Sequence, residues 1–356
     1  MSDPKAPAVE CGVPHIGETI QLAHGGGGRR MRQLIEQLIR PALGRSLEAA
    51  PWVKDTRHDS GALDIDTGKL ALTSDSYVVS PLFFPGGDIG RLAVCGTLND
   101  LAMAGARPRA LTLSLILEEG LPLETLRRVL DSAGTAAQTA GVPIVSGDTK
   151  VVERGKADGL FINTSGVGER SDQWIHPSSI QPGDVVMLLG DVGRHGVAIL
   201  CARQTLHLES PVESDCRSLW PDVEALLAAN VELHCLRDCT RGGLASACLE
   251  LAGECGLSFC LEETSIPVTP AVRSAAELLG LDPLYIACEG ACLVVVPAAA
   301  AAAAQGVLGD ALTHIGSVSR ASTEGAERPG EVSVKSPYGS SRLLTLLSGE
   351  QLPRIC

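Results

Sequence analysis

The order of apolar segments repeats along the chain, and this repeat limits the possible folds more than any other feature. Residues 63–65 and 69–79 are rich in β-forming residues, and helical spacing follows at about 89–104 and 123–140. After the polar stretch HPSSIQPGD the pattern begins again, with a buried strand in VVMLLG and a helix in GVAILCARQ. Two successive runs of strands and helices predict two α/β units, each a sheet covered by helices.

Apolar spacing predicts the other elements of each unit. In the first unit we expect strands at 111–117, 143–145 and 160–167. In the second we expect helices at 223–229, 244–255 and 270–279, and strands at 258–261, 292–296 and 312–318. The predicted organisation is a flexible extension (1–20), an N-terminal domain (21–178), a C-terminal domain (179–347) and a mobile tail (348–356).

The charge balance argues against two classes of partner. The chain carries 42 acidic and 29 basic residues, a formal net charge of −13, whereas nucleic acids and anionic membrane surfaces attract basic patches. The richest apolar stretch, Cys292–Ala304, is too short to span a bilayer. The N-terminus, MSDPKAPAVE, has no apolar segment of the secretory type. We therefore expect a cytoplasmic protein with neither a nucleic-acid nor a membrane partner.

The twelve cysteines do not indicate a disulfide framework, because a reducing compartment disfavours one. Most lie among apolar residues and are expected to be buried as small hydrophobic side chains. Examples are Cys95, Cys201, Cys248 and Cys260. The pairs Cys235–Cys239 and Cys288–Cys292 are spaced more widely than the usual CxxC pairs of zinc sites, which disfavours zinc. Cys356 differs from all of them because it is the last residue, where no packed core is expected.

Four aspartates of the first unit lie beside small residues at strand ends or on loops. They are Asp59 in HDSGALDI, Asp75 in LTSDSYVV, Asp100 in GTLNDLAMAGA and Asp148 in IVSGDTK. Carboxylates that converge need a cation to offset their repulsion, and Mg²⁺ bound by carboxylates and nucleotide phosphates is the usual solution. The alternative is that each aspartate caps a turn or a helix. Taken together with the neighbouring glycines, the four favour a metal and phosphate site.

A glycine run and an arginine are further candidates for phosphate contacts. The run at His24–Gly28 precedes a helix, so its backbone N–H groups could face a phosphate, although the Walker A spacing is absent. In RDCTRGGLA, Asp238 or Thr240 could cap a helix that begins near Gly243, with Arg241 at its positive end. A capped helix with a surface arginine is the simpler alternative.

These stretches together resemble one known family. They are LAHGGGG, TSDSYVVSPLFFPGGDIG, GTLNDLAMAGARP, EEGLP, SGDTKVV, FINTSGVG, DCTRGGL, the CEG around Glu289 and the terminal LPRIC. From about residue 20 to its end the chain is similar to the HypE family of hydrogenase maturation factors, within the ATP-using superfamily of aminoimidazole ribonucleotide synthetase. The related selenophosphate synthetases and thiamine-phosphate kinases lack a tail that ends in cysteine.

The resemblance implies a fold, a reaction and partners. It implies two α/β domains and a homodimer formed through the N-terminal halves, where ATP binds. HypF would load a carbamoyl group onto the Cys356 thiol, and ATP-dependent dehydration would convert the S-carboxamide to a thiocyanate. The HypC–HypD complex would then receive the cyanide for the iron of [NiFe]-hydrogenase.

The resemblance also implies roles for individual residues. Lys150 would stabilise phosphoryl charge or take a proton from nitrogen, and Glu289 would act as a base. Without the resemblance, they would be a surface lysine and an element-end glutamate. The implied Mg²⁺ ligands are Asp59, Asp75, Asp100 and Asp148. The implied ATP contacts are His24, Gly25, Gly26, Gly27, Asp75, Asp100, Asp148, Thr149 and Arg241.

Two other classes of function stay open from the sequence. One is a carrier or scaffold that passes a thiol-bound group between partners without turnover, so that deleting the tail would abolish docking to HypC–HypD. The other is a small-molecule kinase of the same superfamily, whose activity would not depend on Cys356. The leading hypothesis is a dehydratase that acts on its own tail, and it predicts that the carbamoylated chain loses one water when ATP is added.

Overall fold

Two mixed β-sheets, one in each half of the chain, organise the molecule. The structure is a computed structural model, and it describes residues 28–34, 36–37, 53–55, 61–65, 68–203, 212–320, 330–347, 352 and 354–356. Helices pack against both sheets around separate apolar cores. The predicted fold class, two α/β domains of mixed sheet and helix, is therefore confirmed.

The N-terminal half contains the sheet that carries four of the predicted site residues, namely Asp75, Asp148, Thr149 and Lys150. Its described helices are α1 Arg29–Leu34, α2 Ile89–Met103 and α3 Leu123–Ala140. Its described strands are β1 Val53–Asp55, β2 Gly61–Ile65, β3 Gly68–Tyr77, β4 Phe83–Phe84, β5 Gly87–Asp88, β6 Ala106–Glu118, β7 Ile144–Val152 and β8 Leu160–Arg170. Six of these form one sheet of order β1-β2-β3-β8-β6-β7, in which β6 and β7 are parallel and the other pairs are antiparallel.

The C-terminal half forms a second mixed sheet. Its described helices are α4 Arg194–Ala202, α5 Trp220–Ala228, α6 Gly243–Cys255, α7 Pro270–Leu279 and α8 Ala301–Leu308. Its described strands are β9 Val185–Leu189, β10 Cys235–Asp238, β11 Ser258–Glu262, β12 Cys292–Val296, β13 Leu312–Ser319, β14 Val332–Lys335 and β15 Ser341–Leu343. The sheet order is β10-β12-β9-β13-β11-β14-β15, with a parallel pair at β11 and β14.

Helix α2 lies between the two halves and is buried on almost every side. Its first turn is capped by the Asp88 carboxylate, which accepts hydrogen bonds from two backbone N–H groups of the helix. One side of the helix packs on β3, β6 and β8, while Met103 near its end packs with Met187 and Leu189 of β9. A helix that is apolar all round in this way is suited to a position between two sheets.

The elements differ from the sequence prediction mainly where polar residues form strands. The strand expected at 143–145 continues to Val152 because its polar residues pair along β6 in parallel. Strand β10 was not expected, since CLRD is short and half charged, yet all four residues pair with β12. Helix α3 and helix α7 have the bounds that apolar spacing predicts.

Candidate active site

The last three residues of the chain lie against the segment that follows strand β3. The backbone N–H of Val78 donates to an oxygen of the Cys356 terminal carboxylate (3.1 Å), and the N–H of Ser80 donates to the carbonyl of Arg354 (3.2 Å). This alternate pairing resembles one edge of an antiparallel ladder. The described residues of the tail lie against the body of the protein, and the mobility of residues 348–356 stays a prediction.

Two side chains from helix α4 and its C-terminal end complete the main-chain contacts of the tail. His195 Nε2 lies 2.7 Å from the carbonyl of Ile355, and Nδ1 lies 2.8 Å from Ser214 Oγ. Since a carbonyl can only accept, Nε2 carries the proton and donates. Arg203 Nη2 donates to the carbonyl of Arg354 (2.6 Å), and its Nε donates to the carbonyl of Ser80 (2.7 Å).

The side chains of the tail are also held. Ile355 is 5% exposed and packs in the apolar core of the N-terminal half, with Leu352 and Cys356 at its margin. Arg354 pairs with Asp158, donates from Nε to the carbonyl of Val78 (3.0 Å) and lies over the Phe161 ring. The apolar burial of Ile355 offers a physical reason for the seating, because exposing such a side chain to water costs roughly 2 kcal/mol.

Arg241 is a positively charged residue whose charge interacts with Cys356 at the end of the tail. It lies in the turn between β10 and α6, and the residue is exposed, although the protein around its charged end by itself would lower the pKa. The neighbouring Cys356, Asp75 and Asp100 outweigh that effect and raise the pKa of Arg241 above its ordinary value. The guanidinium therefore stays charged and offers a favourable environment for negative charge at the end of the tail.

Glu289 lies in the loop before β12, and its backbone is fixed from two sides. The Asp215 carboxylate accepts hydrogen bonds from the N–H groups of Glu289 (3.1 Å) and Gly290 (3.0 Å). Asn99 of helix α2 donates from Nδ2 to the carbonyl of Glu289 (3.3 Å). A Cβ on Gly290 would lie 1.9 Å from the carbonyl oxygen of Asp215, so only glycine fits this close approach.

The side chain of Glu289 is buried, and its surroundings favour the protonated form. It is 3% exposed, and its Oε1 has no hydrogen-bond partner among the described residues. Burial raises the pKa of Glu289 well above its ordinary value, and the charges of Asp238 and Asp215 raise it further, whereas Arg241 opposes them. A buried carboxyl with one oxygen lacking a partner among the described residues and a raised pKa is typical of a functional group rather than of a structural one.

Asp75 and Asp100 lie on the side of the first sheet that faces helix α2. Asp100 belongs to α2, and its Oδ2 accepts a hydrogen bond from Thr73 Oγ1 (2.6 Å) on β3. Side chains alternate along a strand, so Asp75 shares the face of Thr73. Both carboxylates also lie close enough to Arg241 to influence its charge. The structure thus brings Asp75, Asp100, Arg241 and Cys356 to one region.

Asp148 and Lys150 lie on the opposite face of the same sheet. The cross-strand pairs can be followed from β7 to β3. Asp148 pairs with Ser114 on β6, Ser114 pairs with Asn163 on β8, and Asn163 pairs with Ser76 on β3. Opposed residues share a face, so Asp148 shares the face of Ser76 and not that of Asp75. Three strand spacings, about 14 Å, also separate β7 from β3. Within one chain, Asp148 does not converge with Asp75 and Asp100.

Strand β7 is the outer strand of its sheet, and eight of its nine residues are exposed. Lys150 is 70% exposed, and its Nζ lies 2.8 Å from Asp148 Oδ2. This lysine and the Thr149 N–H hold the pKa of Asp148 below its ordinary value. Asp148 and Thr149 also line a groove of about 630 Å³ between β7 and helix α3. In the single chain, these predicted site residues therefore face solvent.

Several predicted residues lie outside the described part of the chain. They are His24, Gly25, Gly26, Gly27 and Asp59. In the described ranges, no group of three or more His, Cys, Asp or Glu side chains is placed to hold a metal ion. Both CxxxC pairs are buried, as are Cys95 and Cys248, while Cys201 and Cys260 are half-buried. The cysteines expected to be small core residues are thus largely confirmed as such.

Sequence reasoning missed the residues that position the tail and the Glu289 loop. They are Asn99, His195, Arg203, Ser214 and Asp215. The sequence held a signal for His195, because it lies in the first turn of the otherwise apolar helix segment GRHGVAILCA. In the structure His195 is fully buried. Asp215 offered no such signal, because ESDCRS reads as an ordinary surface loop.

Comparisons with known proteins account for this arrangement. Models of the AIR synthase related proteins match both halves, the N-terminal domain at residues 57–170 and the C-terminal domain at residues 181–327. The carbamoyl dehydratase HypE of Azotobacter vinelandii is 47% identical over 345 residues, which cover 95% of this chain and 97% of that protein. The chain belongs to the HypE family of carbamoyl dehydratases. The resemblance found in the sequence motifs is thereby confirmed.

Solved structures of the HypE family agree with this fold. A crystal structure of the hydrogenase maturation protein HypE in complex with ATP matches with a TM-score of 0.79 and 45% identity, covering 95% of this chain and 100% of that one. A crystal structure of a HypE–HypF complex matches with a TM-score of 0.79 and 38% identity, covering 88% and 99%. In the part of this chain that the structure describes, no helix is both long and apolar enough to cross a membrane.

Proposed function

We propose that this chain uses ATP to dehydrate an S-carboxamide on its own Cys356 to a thiocyanate. The observation that carries the proposal is the seating of Cys356 beside Arg241, in the region that also contains Asp75 and Asp100. Glu289 lies close enough to Arg241 for each charge to influence the other. A substrate thiol, a fixed cation and a base candidate are therefore all present in one region of a single chain.

The reaction needs ATP because the oxygen of an amide is a poor leaving group. Transfer of the γ-phosphoryl group to the carboxamide oxygen allows that oxygen to leave as phosphate. The C–O bond breaks, the C–N bond becomes a triple bond, and the nitrogen gives up both of its protons. In balance, the S-carboxamide and ATP give the thiocyanate, ADP and inorganic phosphate. The solved HypE structure with ATP, 45% identical to this chain, supports ATP as the phosphoryl donor.

The residues of the site match the two demands of this chemistry. Arg241 is a fixed positive charge for the oxygen and phosphate, where negative charge develops. Glu289 takes a proton from nitrogen once it is ionised, and its raised pKa makes it a stronger base than an exposed carboxylate. Lys150 is proposed to contribute a second positive charge, from the exposed strand β7.

Mg²⁺ and the nucleotide contacts are part of the same proposal. Asp75 and Asp100 are the described carboxylates that fit a magnesium site on the helix side of the sheet, and phosphate oxygens would supply further ligands. Bound there, Mg²⁺ would offset phosphate charge. The proposed contacts at Asp59 and in the glycine run His24–Gly27 come from the sequence alone.

We also propose a homodimer formed through the N-terminal sheet. The face of this sheet opposite helix α2 exposes two large apolar side chains, Leu72 (51%) and Ile116 (44%), and β7 is an open edge next to it. Lys150 stands opposite Ile116 in the ladder. A second copy that covers this face would remove apolar surface from water and would approach Asp148 and Lys150. Size-exclusion chromatography with light scattering would test the dimer, with Leu72→Glu as the disrupting variant.

The remaining parts of the cycle concern partners. We propose HypF as the carbamoyl donor, supported by the similarity to a solved HypE–HypF complex. We propose the HypC–HypD complex as the cyanide acceptor for the iron of [NiFe]-hydrogenase, and a cytoplasmic location for the whole sequence of steps. Pull-down with each partner, with and without the Cys356 modification, would test these assignments.

Intact-mass spectrometry tests the proposed reaction directly. The full-length chain is carbamoylated with HypF and then mixed with ATP and Mg²⁺. The expected product is lighter than the carbamoylated chain by the mass of one water, and Cys356→Ser should show neither the added nor the lost mass. A folded, carbamoylated chain that keeps its mass through ATP hydrolysis contradicts the proposal and favours a carrier. ATP turnover on a small molecule that is unaffected by Cys356→Ser favours a kinase.

A further inference from the structure

The groove that holds the tail recognises a short stretch of peptide by its main chain. Main-chain oxygens of three successive residues, namely the carbonyls of Arg354 and Ile355 and the terminal carboxylate of Cys356, each accept a hydrogen bond from the body of the protein. The donors are the Ser80 N–H and the Arg203 guanidinium for the first carbonyl, the His195 ring for the second and the Val78 N–H for the carboxylate. Main-chain bonds of this kind give affinity to a peptide in an extended groove.

Two side-chain contacts add sequence selectivity to the groove. Ile355 is almost completely buried, next to Ile199 and Ala287 in the same apolar core, so a large aliphatic residue is required there. Arg354 pairs with Asp158 and lies over the Phe161 ring, which favours a basic residue at this position. The groove therefore selects a C-terminal sequence of basic residue, aliphatic residue and cysteine.

The tautomer of His195 that binds the tail is set by residues outside the tail. Ser214 Oγ lies 2.8 Å from Nδ1 and accepts the Cys216 N–H (3.1 Å), so its hydroxyl hydrogen is available to the ring nitrogen. With Ser214 donating to Nδ1, the proton of the neutral imidazole is placed on Nε2, which faces the Ile355 carbonyl. The donor for the tail is thus fixed by residues of the body alone.

All these donors belong to residues far from the tail in sequence, and the contacts they make are with the last three residues of the chain. A tail that reaches the groove from another molecule can make the same contacts, although it lacks the local concentration that the covalent connection supplies. We propose that the groove formed by Val78–Ser80, Asp158, Phe161, His195 and Arg203 is a peptide-binding site that also accepts the C-terminal tail of a second copy of this chain. Dehydration of an S-carboxamide peptide bound in this way rests on the proposed function, whereas binding does not.

A labelled peptide tests the binding site in the full-length protein. The probe is Leu-Pro-Arg-Ile-Cys with a fluorophore on its N-terminus and a free carboxylate. The host is Ile355→Asp, which places an unpaired charge in the apolar pocket and unseats the resident tail. Fluorescence anisotropy should show saturable binding to Ile355→Asp and at least tenfold weaker binding to the wild type, whose own tail competes.

Matched variants locate the binding. The peptide with Asp in place of Ile should bind Ile355→Asp at least tenfold more weakly than the natural sequence. Adding His195→Ala to the host should weaken binding severalfold, and His195→Gln, which keeps an N–H donor, should restore part of it. Should Ile355→Asp fail to fold, Arg354→Glu, which repels Asp158, replaces it as host. Equal binding of both peptides, or no binding to a folded host, overturns the proposal.

Turnover distinguishes this proposal from the proposed reaction. The peptide carrying an S-carboxamide is mixed with Ile355→Asp and ATP, and its mass is followed beside that of the carbamoylated wild-type chain. Loss of one water from the peptide supports both proposals. A wild-type chain that is dehydrated while the peptide does not bind overturns the peptide site and leaves the reaction intact. A peptide that binds selectively while neither substrate is dehydrated leaves the site intact and overturns the reaction.

Discussion

The groove that holds the C-terminal tail is formed by both halves of the molecule, whereas the edge strand β7 belongs to the N-terminal half alone, and the two present opposite surfaces. In the groove, the carbonyls of Arg354 and Ile355 and the terminal carboxylate of Cys356 each accept a hydrogen bond, and Ile355 is buried. On β7, Asp148 and Lys150 contact each other and otherwise face solvent. The difference teaches that one chain is sufficient to seat the Cys356 thiol, the proposed substrate, whereas the predicted phosphate-binding residues of β7 need further groups to complete a site.

The largest effect is expected at the buried carboxyl of Glu289. Glu289→Gln keeps the shape of the side chain and removes the base, so the single-turnover rate of dehydration should fall by about 10²- to 10⁴-fold. Stability should change little, because Gln keeps the shape of the side chain and adds no charge to the buried position. Quenched-flow mass spectrometry of the carbamoylated chain measures the rate. Glu277→Gln, on the exposed side of helix α7, is the matched control and should leave the rate unchanged.

The second effect tests whether β7 acts within its own chain. Lys150→Met should lower the rate by about 10²- to 10³-fold if the ammonium stabilises phosphoryl charge, without lowering the melting temperature, because the side chain is exposed. Lys150 and Glu289 are expected to meet across the dimer, since Lys150 faces away from helix α2.

Subunit complementation tests whether Lys150 and Glu289 serve one site within the same chain or meet across the dimer. Co-expression of Lys150→Met and Glu289→Gln chains with different tags gives hybrid dimers. If the two residues meet across the dimer, each hybrid contains one intact site, so a statistical mixture should recover about one quarter of the wild-type rate. If the hybrid dimers are as inactive as the homodimers of either variant, Lys150 and Glu289 belong to the same chain's site. The difference proposed between the groove and strand β7 would then not hold.

A third, smaller effect concerns the pH dependence of the buried centre. If Glu289 is the base, the rate should rise with pH as the carboxyl loses its proton, and its raised pKa places this rise above the range of an ordinary glutamate. Asp238→Asn removes a negative charge that raises the pKa of Glu289, so the rise should move to lower pH, by about one unit. Asp131→Asn on the exposed surface of helix α3 should leave the profile in place. A shift to higher pH in Asp238→Asn contradicts this assignment.

The smallest expected effect lies at the rim of the groove. Arg354→Gln removes the ion pair with Asp158, but the pair is partly exposed, and such pairs contribute little. The rate of Cys356 alkylation by iodoacetamide should therefore rise by no more than about fivefold. Arg109→Gln, whose pair with Glu169 is also exposed, should leave the rate unchanged. A much larger increase would show that the rim, and not the burial of Ile355, holds the tail.

Much of the fold followed from local patterns. Apolar spacing located α3 and α7 to the residue and placed α2 within one residue, because amphipathic or apolar periodicity is a local property. Strand β10 and the second half of β7 were missed because their polar residues are paired by neighbours that are distant in sequence. Pairing of this kind overrides local preference and cannot be read from a single segment.

The site shows the same division. The motifs around Asp75, Asp100, Arg241 and Glu289 identified the residues that the structure brings towards one region. Nothing in those motifs placed Asp148 on the opposite face of the sheet, since the face depends on the register of β7 against β6. Nor did they reveal Asp215, which matters only because the chain returns it to the Glu289 loop.

The sequence by itself determined the family and the two α/β units, because motifs and apolar spacing are local properties, and it singled out Cys356 as a candidate. The tertiary structure decided where that cysteine lies and what holds it. Hydrogen bonds from Val78, His195 and Arg203 to the tail join residues more than 150 positions apart. Such contacts exist only after the chain has folded, since they depend on the relative placement of two sheets and the helix between them.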